Sequence, residues 1–187
     1  MTRITDDGVA GIATDCRKLV DIKVETSDVI TDASLCAVFQ ACTKLTSVEL
    51  KKSTQITDRA ITTLIQHRRA LKRLVLFENT RLTERSITAM VTFPTALETL
   101  CITHMPVTDD SMVLLSRYCA PLKSITIMHC NLLSIRTVEA LVANYKNLRS
   151  LIMLNCTHTN RTPELTAYLR SADIAEKIAD GVHIMIV

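Results

Sequence analysis

Among the side chains able to do chemistry, one set of histidines and cysteines stands out by its spacing. His104 and His129 lie 25 residues apart, and Cys101, Cys130, Cys156 and His158 share the same stretch of chain. Zinc needs four such ligands converging as a tetrahedron. Cys101 is also a candidate reactive thiol, although no residue near it in sequence is clearly placed to lower its pKa. Arg68, Arg69, Lys72 and Arg73 form a basic cluster that could meet an anion, and Asp109-Asp110 is a carboxylate pair. No Ser-His-Asp or Cys-His signature is present. With only Gly8, Gly11 and Gly181, no glycine-rich phosphate cradle can be assembled. Whether any of these groups converge depends on the elements that carry them.

Those elements repeat. A leucine followed by apolar residues three and five positions later recurs at Leu19-Ile22-Val24, Leu45-Val48-Leu50, Leu71-Leu74-Leu76, Leu97-Leu100-Ile102, Leu122-Ile125-Ile127 and Leu148-Leu151-Met153. The leading leucines step by 26, 26, 26, 25 and 26. Thr5, Thr31, Thr57, Thr83, Thr108 and Ser134 step in the same way, including the one short interval. The apolar alternation predicts a strand with one buried face. The Thr or Ser predicts a helix N-cap, and the acids after it (Asp6, Asp32, Asp58, Glu84, Asp109) suit the positive end of the helix dipole. Apolar residues before each cap (Ile4, Ile30, Ile56, Leu82, Val107, Leu133) and four after it (Val9, Leu35, Ile61, Ile87, Met112, Val138) form hydrophobic staples. A strand, a turn and a capped amphipathic helix cannot bury their apolar face alone, and stacking buries it. The fold class is α/β: a right-handed leucine-rich-repeat solenoid, or horseshoe, with a parallel β-sheet on the concave face and helices on the convex face.

These repeats resemble the cysteine-containing leucine-rich-repeat family. Cys16, Cys42 and Cys119 stand three residues before the first leucine; Cys130 and Cys156 stand near the strand end, with Asn79 in that place in one coil. Ile4-Thr5-Asp6, Ile30-Thr31-Asp32 and Ile56-Thr57-Asp58 match the helix start. The resemblance runs from about residue 4 to 156. It is similar to the repeat region of F-box substrate receptors of ubiquitin ligases and to antagonist-of-mitotic-exit-like proteins, and implies a binding module. No F-box precedes the first repeat.

The alignment reassigns the chemical candidates. Cys16, Cys42, Cys119, Cys130 and Cys156 point into the core, Cys36 falls on a helix and Cys101 faces the concave side, so the metal set separates. Cations gather where helices end and strands begin (Lys18, Lys44, Arg68, Arg69, Lys72, Lys123, Lys146, Arg149), which the helix dipole explains. Between the buried leucines, the concave face runs from charged residues in the first coils to apolar ones later. The candidate partner-binding residues are Arg73, Val75, Phe77, Cys101, Thr103, Thr126, Met128, Ile152 and Leu154. Beyond residue 156 the chain leaves the pattern. Pro163 after Thr162 predicts a helix toward Arg170, a second follows near 173–180, and Val182–Val187 predicts a seventh strand.

The chain of 187 residues, 48% hydrophobic, reads as a single leucine-rich-repeat domain over 1–187 with an irregular closure from 157. Its net charge of +3 and scarcity of aromatics do not call for nucleic acid. No stretch is apolar enough to insert in a membrane. Seven cysteines without a secretory start fit an intracellular, cytoplasmic protein, or a mitochondrial one if a presequence was removed. The expectation is a non-enzymatic adaptor without cofactor or metal, binding a protein partner through the concave face. The alternatives are a structural subunit of a large mitochondrial or ciliary assembly, and the substrate-recognition part of a ubiquitin ligase whose F-box lies elsewhere.

Overall fold

A computed structural model describes residues 5–119, 121–156 and 162–187. Ile4 and His158 therefore lie outside the described residues. Six coils of helix and strand follow one another: α1 (Asp6–Asp15), β1 (Asp21–Ser27), α2 (Asp32–Ala41), β2 (Ser47–Ser53), α3 (Asp58–His67), β3 (Arg73–Phe77), α4 (Glu84–Thr92), β4 (Thr99–Thr103), α5 (Asp109–Tyr118), β5 (Ser124–Met128), α6 (Ile135–Asn144) and β6 (Ser150–Leu154). They are followed by α7 (Pro163–Leu169), α8 (Ala172–Ala179) and β7 (His183–Ile186). All seven strands form one parallel sheet in chain order. The expected seventh strand is present and joins the sheet beside β6. Gly181, with φ of 84°, makes the left-handed turn out of α8 that leads into it.

The core is continuous and mostly aliphatic, with Phe39 and Tyr145 as fully buried aromatic members. Leu45, Leu71, Leu97, Leu122 and Leu148 and the strand residues three and five positions beyond each are buried. The described staple residues are buried as well, Ile30 with Leu35 and Ile56 with Ile61 among them. Strands pack about 4.8 Å apart whereas helices need about 10 Å, so the stack must curve with its sheet on the inside.

Each cap hydroxyl does two things. Thr57 Oγ1 accepts from the Arg59 N–H of its own helix and donates to the Asp32 carboxylate of the preceding coil. The Thr57 N–H donates to the other Asp32 oxygen at 2.8 Å. Thr31 donates in the same two ways to Asp6, Thr83 to Asp58 and Ser134 to Asp109, while the longer Glu84 receives the Thr108 hydroxyl at 2.8 Å. The acids read from sequence as dipole partners are thus also bridges between coils. Burial on its own would raise the Asp6 and Asp109 carboxyls; hydrogen bonds from Ser34 and Thr31 to Asp6, and from Ser134 and Thr137 to Asp109, hold both below the usual value.

A second column lies at the helix ends. Cys42 Sγ donates to the Cys16 carbonyl. Arg68 takes the next place in the column, and its guanidinium donates to the Cys42 and Gln40 carbonyls at 3.2 Å each. Arg68 is buried, which removes it from the basic cluster seen in sequence. Cys16 is exposed rather than core, because among the described residues no coil packs against its outer side.

Asp58 accepts from the Thr83 N–H, the Thr83 hydroxyl and the Ser86 hydroxyl. Asp58→Ala should cost ~2–3 kcal/mol by urea denaturation, because it strands those donors. Asp110→Ala, also in a first helical turn but 82% exposed, should cost about 0.5 kcal/mol or less. Equal losses would show that the dipole, not the bridge, accounts for the acids.

Candidate functional site

Strand pleating places alternate residues of each strand on the concave face. The parallel register then lines them up across the sheet. One row is Glu49, Val75, Cys101, Thr126, Ile152 and Met185. The next holds Lys51 and Phe77 in register, and Thr103, Met128 and Leu154 in register. Phe77, Cys101, Thr126, Met128, Ile152 and Leu154 are each partly exposed, and Met185 is 41% exposed. Met185 was not among the residues picked from sequence. Its signal was the alternation of His183, Met185 and Val187, legible once β7 is known to pair with β6.

Two picked residues are not available to a partner. Thr103 is fully buried, and its hydroxyl accepts the Glu78 N–H at 2.8 Å. The chain turns sharply after β3, and this hydroxyl holds the turn against the next coil. Val75 is only 6% exposed, so it supports the face more than it forms it.

The first coils present an ion-pair cluster. Glu49, 7% exposed, lies 2.6 Å from Lys51, 2.8 Å from Arg73 and 3.4 Å from Lys23. Glu25 completes it, 3.0 Å from Lys23 and 3.2 Å from Lys51. Lys51, opposed by burial and seconded by Arg73, holds the Glu49 carboxyl down from 4.5 to about 2. Arg73, picked as a partner-binding residue, is thereby engaged within the sheet. The charged side chains of this part of the face are paired with one another, and the apolar rows begin where they end.

Six strand-end residues, Thr26, Lys52, Glu78, His104, His129 and Asn155, adopt left-handed φ near 50–55° without being glycine. Each such residue carries a strain of order 1 kcal/mol. The His104 and His129 amides donate to the Met128 and Leu154 carbonyls, which binds each turn to the next coil. Their rings stack with centroids 4.4 Å apart, as the one-repeat spacing predicts. Parallel stacked rings do not converge on an ion, and the described residues contain no cluster of three or more His, Cys, Asp or Glu side chains able to hold one. Cys130 and Cys156 are buried, and burial pushes the Cys130 thiol up to about 12. Burial also raises the Cys101 thiol, so the concave cysteine is a neutral surface atom. The Asp109 carboxylate is occupied by Ser134 and Thr137.

At the outer side of β1 a cleft of about 330 Å³ opens, lined by Val9, Ile12, Ile22, Val24 and Val29 among others. No described helix is long and apolar enough to cross a membrane.

No family model and no curated protein matches the chain. Solved structures do. The chain is similar to one from the yeast Rad7 and Elc1 complex, with a TM-score of 0.56 at 14% identity, covering 80% of this chain and 48% of that one. It therefore spans about half the length of that protein. A tropomodulin C-terminal domain from Caenorhabditis elegans (TM-score 0.46, 11% identity, 94% and 92% covered) and leiomodin-1 actin-binding site 2 (0.44, 12%, 96% and 95%) are more distant. At such identities the first likeness supports the repeat fold, which the register and helix order show directly.

Glu49 is held ionised in the fold far below its unfolded pKa. Its stabilising effect is present above about pH 4.5 and is lost as pH falls toward about 2. Urea titrations across that window should show the wild type losing stability, and Glu49→Gln, less stable at neutral pH, declining less steeply. An unchanged slope would mean the three cations do not hold the carboxylate.

Proposed function

We propose that this chain is a protein-interaction module, acting as one leucine-rich-repeat domain of the cysteine-containing class, and that its partner docks on the C-terminal part of the concave sheet. The observation that carries this reading is the run of partly exposed Met128, Ile152, Leu154 and Met185 across the neighbouring strands β5, β6 and β7. Contiguous exposed apolar surface on a stable core marks interaction sites. β7 extends this face at the sheet's edge instead of folding over it. On the concave face Lys23, Glu25, Glu49, Lys51 and Arg73 are engaged with one another and Cys101 is a neutral thiol, which argues for binding rather than catalysis. The similar chain from the Rad7 and Elc1 complex belongs to a protein assembly, which agrees with a binding role.

A role as structural subunit draws support from a different place, the apolar cleft beside β1. A solenoid end of that kind offers its backbone edge and core to a neighbour. A ubiquitin-ligase receptor role rests on the sequence resemblance alone.

Affinity purification of the tagged intact chain, with mass spectrometry, is expected to recover a defined partner. Met128→Glu with Leu154→Glu should remove it while leaving the thermal unfolding midpoint within a few degrees, because both side chains are only partly buried. Undiminished recovery by that double variant would move the site elsewhere. Loss of the partner on Val29→Glu instead, at a cleft position 42% exposed, would favour the cleft.

A further inference from the structure

The apolar rows run across the strands, along the solenoid axis, and this direction limits what can lie on them. In register from Cys101 to Met185 the exposed row crosses four strands, three intervals of about 4.8 Å, or roughly 14 Å. Within the sheet the strand amides and carbonyls face neighbouring strands, so the concave surface offers side chains only. An extended segment lying along this row would leave its own backbone groups unpaired as they lose water. A helix satisfies its backbone internally, and about 10 residues of helix cover 14 Å. The two apolar rows are two residues apart, roughly 6.6 Å, the width of one apolar helix stripe.

Charge differs on the two sides of those rows. On the strand-start side, the Glu98 amide donates to the Lys72 carbonyl, the Lys123 amide to the Glu98 carbonyl and the Arg149 amide to the Lys123 carbonyl. Lys72, Lys123 and Arg149 therefore share one column with a single acid. Glu98 lies 2.7 Å from Lys123 and 4.0 Å from Lys72, which leaves the column net positive. A strip of partly exposed Thr99, Ser124 and Ser150 separates it from the apolar rows. Over the same coils, the strand-end side carries Glu78, His104, His129 and Asn155. The column lies three residues, about 10 Å, from the nearer apolar row, within reach of the flank of a helix about 10–12 Å across.

We propose that the concave face seats one amphipathic α-helix of a partner protein, lying along the solenoid axis with acidic residues on the flank facing Lys72, Lys123 and Arg149. This rests on the concave-face reading above and adds the conformation, direction and charge of the bound segment.

The test is a selection of displayed random 16-residue peptides on the intact chain, followed by fluorescence anisotropy with the enriched peptides. Enriched sequences should repeat apolar residues at i, i+3 or i+4, and i+7, with Asp or Glu along one flank. Arg149→Glu with Lys123→Glu should weaken them at least tenfold and flatten their salt dependence, with circular dichroism unchanged. Replacing the acidic flank of a peptide by lysine should have the same effect. Peptides that alternate like strands, carry basic flanks or ignore the charge reversal, yet still lose binding to Met128→Glu, would overturn this inference and leave the concave site standing. Peptides indifferent to Met128→Glu would overturn both. A selection that enriches no peptide also counts against the helix.

Discussion

The hydrogen bond between the carboxylate at the start of one helix and the cap threonine of the next coil sets the geometry on which this structure depends. A helix N-terminus has amides to satisfy, and its cap residue has a hydroxyl proton to place. The acid one coil earlier accepts both the cap amide and the cap hydroxyl, as Asp32 does from Thr57. That fixes the heights of α1 to α6 relative to one another, while the parallel backbone ladder fixes the strands. Together they leave little freedom of register, so the strand side chains of successive coils must form rows.

From those rows follows the division of the sheet. Inward residues meet the helices and make an aliphatic core with no aromatic residue in the strand interiors. Concave residues meet no helix, so their identity is free to vary from coil to coil. In the first coils that freedom is used for Glu25, Glu49, Lys23, Lys51 and Arg73, whose charges satisfy one another. In later coils it is used for Phe77, Met128, Ile152 and Leu154. The strained turns at the strand ends belong to the same logic. A left-handed residue lets the chain leave the sheet while its amide still reaches the next coil, and that bond offsets the strain without glycine.

The C-terminal segment decides how much of the face exists. Had residues after 162 folded over the concave side, the apolar rows would be core. β7 pairs beside β6 instead, and Met185 continues the row that begins at Lys23. A binding surface ending at β6 would offer one strand fewer and a shorter span to an elongated partner.

Most of the fold was legible from the sequence. Two independent 26-residue rulers, the leucines and the cap threonines, set strand and helix positions that the structure keeps, because period and capping are local properties of side-chain type and spacing. The same register made His104 and His129 neighbours and put Cys101 on the concave side. Other features depended on what stands in the adjacent coil, which no local pattern encodes. Thr103 read as a surface residue and is buried, because the turn after β3 needs its hydroxyl. Arg68 read as part of a basic edge and fills a cysteine's place in the core column. Cys16 read as core and is exposed, because its column lacks a described neighbour on that side. The acids read as dipole partners proved to be inter-coil bridges. The sequence by itself determined the coil, its length and its buried face. Only the tertiary structure decided which concave side chains remain open and which coils' charges pair with one another, because both depend on contacts between residues about one coil apart, which no local pattern encodes.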